Sequence, residues 1–161
     1  LITFVFEAIA TAVAPDWRLA CGGLSELPAP WPAIRWLGLA VAVLGVALYV
    51  LTLRDFGVSW RFTIDREQPG ELVTTGVFAV TRNPVYLALA LLAMGLSLAL
   101  GSSLLVLLAC GAPFYFHFLI RREERFLEAH YGETYASYRA SVPRWLRWPR
   151  PRANDGQRRP D

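Results

Sequence analysis

No Asp, Glu or Arg stands anywhere between Asn83 and Arg121, and a second uncharged run fills residues 36–53. Such runs are the strongest constraint on this chain, because a backbone inside lipid must satisfy its own hydrogen bonds and so must be helical or form a closed barrel. A spanning helix takes about 20 apolar residues, with a range of roughly 17–25. A helix of a soluble bundle would show a polar stripe every three or four residues; residues 88–100 and 104–108 show none. The break at Gly101-Ser102-Ser103 divides the longer run in two. Residues 1–14 form a further, shorter block, ended by Pro15-Asp16 and interrupted by Glu7. A signal peptide is the rival reading of that block. No basic residue precedes it, however, and Pro15 would follow the cut after Ala12-Val13-Ala14.

The expected fold is therefore an all-α integral membrane protein. About four transmembrane helices span roughly 1–14, 35–53, 84–100 and 103–120, followed by a cytoplasmic C-terminal helical segment over 121–142. One membrane domain covers 1–148, with a disordered basic tail at 149–161. The composition agrees: 55% of the 161 residues are hydrophobic and 18% charged, outside the range of disordered, charge-rich chains. All sixteen basic residues are Arg, which excludes lysine-dependent chemistry such as Schiff bases. A net charge of +3 gives no case for nucleic acid. Cys21 and Cys110 are too few for a disulfide scaffold, and His117 and His130 have no carboxylate partners at a metal-binding spacing, so no metal site is expected.

The arginines orient the chain. Four lie in loop 54–83, ten follow Ile120, and only Arg18 and Arg35 fall between residues 15 and 35. If 84–120 is a hairpin, the loop and the tail share one face, expected to be the cytoplasmic face of an inner (cytoplasmic) membrane. Beyond the hairpin, the pattern predicts a helix through 121–130, a stop at Gly132, a short helix over 133–141 and an end at Pro143. Leu127, Tyr131, Tyr135, Tyr138 and Val142 fall on one helical face. Trp145 and Trp148, interleaved with Arg144, Arg147 and Arg150, read as an interfacial anchor.

Two polar constellations face this compartment. In the first, residues 70–76 lead into Arg82-Asn83-Pro84-Val85-Tyr86, with Pro84 at the first helical position and Asn83 as its N-cap. A helix start beside Arg82 attracts anions such as a carboxylate. The second is Arg121-Arg122-Glu123-Glu124-Arg125, with His117 one turn before Arg121. An ionisable group inside a span is a site candidate. There is no G-x-G-x-x-G and no strand–helix alternation, hence no Rossmann nucleotide site.

Together, Leu72-Val73-x-x-Gly76-x-Phe78-x-x-x-Arg82-Asn83-Pro84-x-Tyr86 and Glu123-Glu124-x-x-Leu127-x-x-x-Tyr131-Gly132-x-x-Tyr135-x-x-Tyr138-x-x-x-Val142-Pro143-Arg144 resemble the isoprenylcysteine carboxyl methyltransferase family. The related phospholipid methyltransferases share these motifs in looser form. The resemblance implies S-adenosylmethionine as cofactor, in a cytoplasmic pocket closed by the Leu72 loop, the start of the third span and the Glu124 helix. Its cofactor contacts would fall on Gly70, Glu71, Leu72, Val73, Phe78, Asn83, Pro84, Val85, Tyr86 and Glu124, and the charges of Arg82 and Glu123 add these two to the expected cofactor site. The implied reaction methylates a carboxylate of a lipidic or isoprenoid-like substrate. The alternatives are phospholipid-type N-methylation and a membrane protein that keeps the fold without the chemistry. Asn83 stands where the family has His, and Phe78 where it often has Tyr. Ile120 stands where eukaryotic members carry a substrate-binding Arg, a role left to Arg121 or Arg122; with His117, the expected proton acceptor for an amine substrate, these are the candidate catalytic groups. The expected partners are a lipidic substrate and membrane lipids.

Overall fold

The computed structural model describes residues 32–57 and 70–146, together with Val5, Ile9 and Val13, which are helical and exposed. Of the expected first span, only these three positions are described. Cys21, residues 58–69, and the tail with Arg147, Trp148 and Arg150 lie outside the described residues.

Four α-helices and one 3-10 turn follow in order among the described residues: α1 (Pro32–Phe56), the turn Gly76–Ala79, α2 (Pro84–Leu100), α3 (Ser103–Tyr131) and α4 (Glu133–Ser141). At a rise of 1.5 Å per residue, α1 is about 37 Å long, α2 about 25 Å and α3 about 43 Å. A hydrocarbon core is about 30 Å thick, so α1 and α3 are long enough to cross it and α2 is close to the lower limit. Only 22% of the most apolar stretch of α1 and 17% of that of α3 is buried inside the protein. Trp36, Leu44, Leu107 and Phe114 point their apolar surface outward, an arrangement that lipid favours and water does not.

The expected boundaries of α2 coincide with the observed ones. Pro84 opens the helix, and Gly101 closes it in a left-handed conformation at φ 67°, ψ 31°. Ser102 then caps α3 by accepting the Leu105 N–H at 3.3 Å, which completes the hairpin. Gly132, at φ 52°, ends α3 and turns the chain into α4. The expected cap of α2 is different. Asn83 occupies the cap position but makes no side-chain capping bond, because its amide is drawn to the Arg144 carbonyl at 3.0 Å.

α1 and α2 run antiparallel with their backbones nearly in contact. A Cβ on Gly95 would lie 2.3 Å from the Ala42 nitrogen, one on Gly38 2.5 Å from the Ala99 nitrogen, and one on Gly45 2.7 Å from the Leu92 nitrogen. Lipid offers no hydrophobic drive for one apolar helix to prefer another, so close packing through small residues has to supply the association. Thr52 and Ser97 are buried but satisfied within their own helices, donating to the Leu48 and Ala93 carbonyls at 2.7 and 2.6 Å. The antiparallel pairing places Arg35 beside Gly101 at the hairpin tip. Asp55, at the other end of α1, lies beside the turn that leads to α2.

Because only backbone lies opposite it, Gly95→Val is expected to destabilise the protein by about 1–3 kcal/mol or more. Gly111→Ala, which meets nothing within 4 Å, is expected to leave stability unchanged. Thermal unfolding of both variants in detergent checks the pair.

Candidate active site

The site end of the hairpin is organised by one buried carboxylate. Glu124 on α3 faces Arg82, which immediately precedes α2, with Arg82 Nη1 2.8 Å from Glu124 Oε1 and both side chains only 8% exposed. Arg144, beyond α4, closes a fork on the same carboxylate, its Nε donating to Oε1 at 3.1 Å and its Nη2 to Oε2 at 2.5 Å. Arg82 Nη1 also donates to the Tyr135 hydroxyl at 3.1 Å. Two guanidiniums on one carboxylate leave the cluster with a net positive charge. Arg82 Nε is buried without a partner among the described residues, and an unmet buried donor of this kind is uncommon in folded proteins.

The chain past α4 is stitched to the lead-in of α2. The Arg82 N–H donates to the Pro143 carbonyl at 3.0 Å. The Arg144 carbonyl accepts from Thr81 Oγ1 at 3.1 Å and from Asn83 Nδ2 at 3.0 Å. Arg144, expected as part of an interfacial anchor, is engaged by the ion cluster, because Glu124 offers it both carboxylate oxygens.

Below the ion cluster is an aromatic one. Phe78, Tyr135, Tyr138 and Val142 are buried together, with Leu72, Val73, Leu127 and Tyr131 packed against them. The five residues expected on one helical face do gather, but across the Gly132 break rather than along one helix. Tyr138 donates to the Phe78 carbonyl at 2.7 Å, and Tyr131 donates to the Gly70 carbonyl. Burial pushes the Tyr138 hydroxyl up to about 12. Burial, and then the Glu124 charge, raise that of Tyr135. The hydrogen bond to Glu124 holds Arg144 in its charged form. Asp55 ties this loop to α1 by accepting the Val77 N–H at 2.7 Å. Gly76 beside it has φ +61°, and a Cβ there would lie 2.1 Å from the Asp55 carboxylate.

Gly70 and Glu71 are exposed, Leu72 and Val73 half-buried, Phe78, Asn83 and Pro84 buried, and Val85 and Tyr86 half-buried. Tyr86 donates to Glu123 Oε2 at 3.1 Å, and its ring packs 5.3 Å from that of Phe116. Arg121 and Arg122 are exposed and outside this cluster. His117 is half-buried, edge-on to Phe118, about 10 Å along α3 from Glu124 at the helical rise. Ile120 is fully buried. Asp55, Thr81 and the roles of Tyr135 and Arg144 were not anticipated. Tyr135 and Arg144 stood in the second motif, whereas nothing local marks Asp55 as a partner of residue 77.

S-adenosylmethionine carries a carboxylate, an ammonium, ribose hydroxyls and a sulfonium, and the residues present fit it. The unpaired Arg82 Nε in a net positive cluster suits the carboxylate, and Glu123 suits the ammonium or the hydroxyls.

The hairpin, its glycine-packed partner helix and the ion cluster at one end define a helical membrane methyltransferase fold. The solved structure of a eukaryotic intramembrane Ras methyltransferase, isoprenylcysteine carboxyl methyltransferase, shares it with a TM-score of 0.68 over 87% of this chain, at 22% identity. The match takes in 50% of that protein, so this chain spans about half its length. A profile of the phospholipid methyltransferase family matches residues 33–134. That is well over half of the chain, which therefore belongs to this family. No curated protein sequence matches it.

Removing the shared carboxylate strands two guanidiniums, so Glu124→Ala is expected to destabilise by about 3–5 kcal/mol, whereas Arg82→Ala, which leaves Glu124 paired with Arg144, is expected to cost less. Chemical unfolding measures both. Tyr138 ionises near 10 when unfolded and at about 12 when folded. In that window the native state holds a proton that the unfolded chain has lost, so stability falls as pH rises from about 10 to about 12. Tyr138→Phe is expected to flatten this part of the alkaline unfolding curve.

Proposed function

We propose that this protein is a membrane methyltransferase that uses S-adenosylmethionine to methylate a lipid-borne acceptor. The observation that carries the reading is the Arg82–Glu124–Arg144 cluster with its unpaired Arg82 donor, set at the end of an apolar hairpin. The cofactor supplies a methyl group on an electrophilic sulfonium when bound. What the protein then has to provide is chiefly alignment of that methyl with the acceptor and exclusion of water. Arg82 would hold the cofactor's carboxylate through Nε, Leu72 and Val73 pack apolar surface against the neighbouring aromatic cluster, and Tyr86 fixes the Glu123 carboxylate through its hydroxyl.

Two acceptor chemistries are compatible with this machinery. Methylation of a carboxylate on a lipidic or isoprenoid-like substrate needs no base and is supported by the likeness to isoprenylcysteine carboxyl methyltransferase. The alternative, an amine headgroup of a phospholipid, is favoured by particular residues. Ile120 places a buried aliphatic side chain where eukaryotic isoprenylcysteine carboxyl methyltransferases carry a substrate-binding Arg, and Arg121 and Arg122 are exposed. Glu123 presents a negative charge that attracts an ammonium. An amine must lose a proton before or during transfer, and Glu123, held by Tyr86, and His117 are groups on α3 able to take it. The geometry therefore favours the amine.

Calorimetry of S-adenosylmethionine on the detergent-purified protein is expected to show saturable binding, weakened in Arg82→Ala. The absence of binding to the unmutated protein would overturn the enzymatic reading in favour of a fold kept without chemistry. Incubation with labelled cofactor and vesicles containing either phosphatidylethanolamine or a prenylated cysteine lipid separates the acceptors. Label in the amine headgroup is the expected result, and label in a base-labile methyl ester would establish the carboxylate instead.

A further inference from the structure

Arg144 lies past the last helix and outside residues 33–134 that match the family, yet it binds two separate elements of the candidate site. Its guanidinium forks onto both oxygens of Glu124 on α3. Its carbonyl accepts from Thr81 and Asn83, and the carbonyl before it accepts from the Arg82 backbone. One residue therefore sets both the rotation of the Glu124 carboxylate and the path of residues 81–83. Arg82 is fixed between these two restraints: its Nη1 is held by Glu124 and Tyr135, and its Nε is left as the unpaired donor. The Asn83 amide is likewise committed to Arg144.

We propose that Arg144 is a positioning residue. It aims the Arg82 donor through Glu124 and the 81–83 backbone, without itself touching the ligand. The inference rests on the reading that S-adenosylmethionine binds at this site. A simpler role, neutralising the buried Glu124 charge, makes a different prediction, because Lys supplies the charge but not the planar two-pronged geometry.

The test uses the full chain in detergent, as wild type, Arg144→Lys, Arg144→Ala and Asn83→Ala. Thermal midpoint, hydrogen exchange of the peptide covering residues 79–86, and calorimetric affinity for S-adenosylmethionine are measured on each. Arg144→Lys is expected to keep the wild-type midpoint while its affinity falls about tenfold and exchange of residues 79–86 quickens by a similar factor, the scale of one charge-assisted hydrogen bond. Asn83→Ala, which leaves the guanidinium fork intact and removes one of the two hydrogen bonds to the Arg144 carbonyl, is expected to shift both readouts in the same direction. Wild-type affinity and exchange in Arg144→Lys would reduce Arg144 to a counter-charge and overturn the proposal, whether or not Arg144→Ala folds. If the wild type binds no S-adenosylmethionine, the functional reading falls. Exchange then decides the positioning role alone: faster exchange in Arg144→Lys and Asn83→Ala supports it, and unchanged exchange in both overturns it.

Discussion

A carboxylate shared by two guanidiniums ties together three parts of this chain that are remote in sequence. Glu124 belongs to α3, Arg82 to the lead-in of α2, and Arg144 to the segment after α4. Glu124 and Arg82 are buried, and an unpaired charge out of water loses several kcal/mol of solvation; Arg144 is more open but spends its guanidinium on the same carboxylate. Each therefore depends on the other two, and so do the segments that carry them. An apolar trio of similar volume would pack equally well there, but it would offer nothing to a charged ligand. The surplus positive charge and the unmet Arg82 donor are what the ionic version adds.

The cluster can form only because the helices beneath it hold their register. Gly38, Gly45 and Gly95 bring α1 and α2 to backbone contact, leaving little freedom to slide or tilt. That places Asp55, at the end of α1, under the turn at Val77, so the loop that carries Leu72, Val73 and Phe78 is tied to a helix on one side and to Tyr131 and Tyr138 on the other. A loop bonded from both sides is a suitable wall for a site that works by alignment.

Elements set by local rules were legible in the sequence. Pro84 and Gly101 bound α2 where proline and glycine chemistry require, and Gly132 separates α3 from α4. The tyrosine spacing marked a buried face that the structure assembles around Phe78. What stayed hidden depends on pairing across long separations. An Arg beside a tryptophan does not announce that Glu124, twenty residues earlier, lies within its reach. Asn before Pro reads as a cap until a carbonyl from residue 144 competes for its amide. The helix crossing was hidden too, because glycines in an apolar run do not announce which neighbour they face.

The unequal lengths of the hairpin helices explain why the site sits where it does. α2 has 17 residues and α3 has 29, and the two start together at the Gly101–Ser102 turn. The Tyr86–Glu123 and Arg82–Glu124 contacts mark where α2 runs out. Past that point α3 continues from Glu124 to Tyr131 for about 10 Å with no helical partner from the hairpin. This overhang begins where the uncharged run ends, so it can carry charge without burying it in lipid. The 70–83 loop and α4 pack onto it, and their polar groups meet Glu124 at the boundary between apolar and polar surface. Under the proposed function, a water-soluble cofactor and a lipid-borne acceptor would meet at that level, which neither a shorter α3 nor a longer α2 would leave at the end of the hairpin.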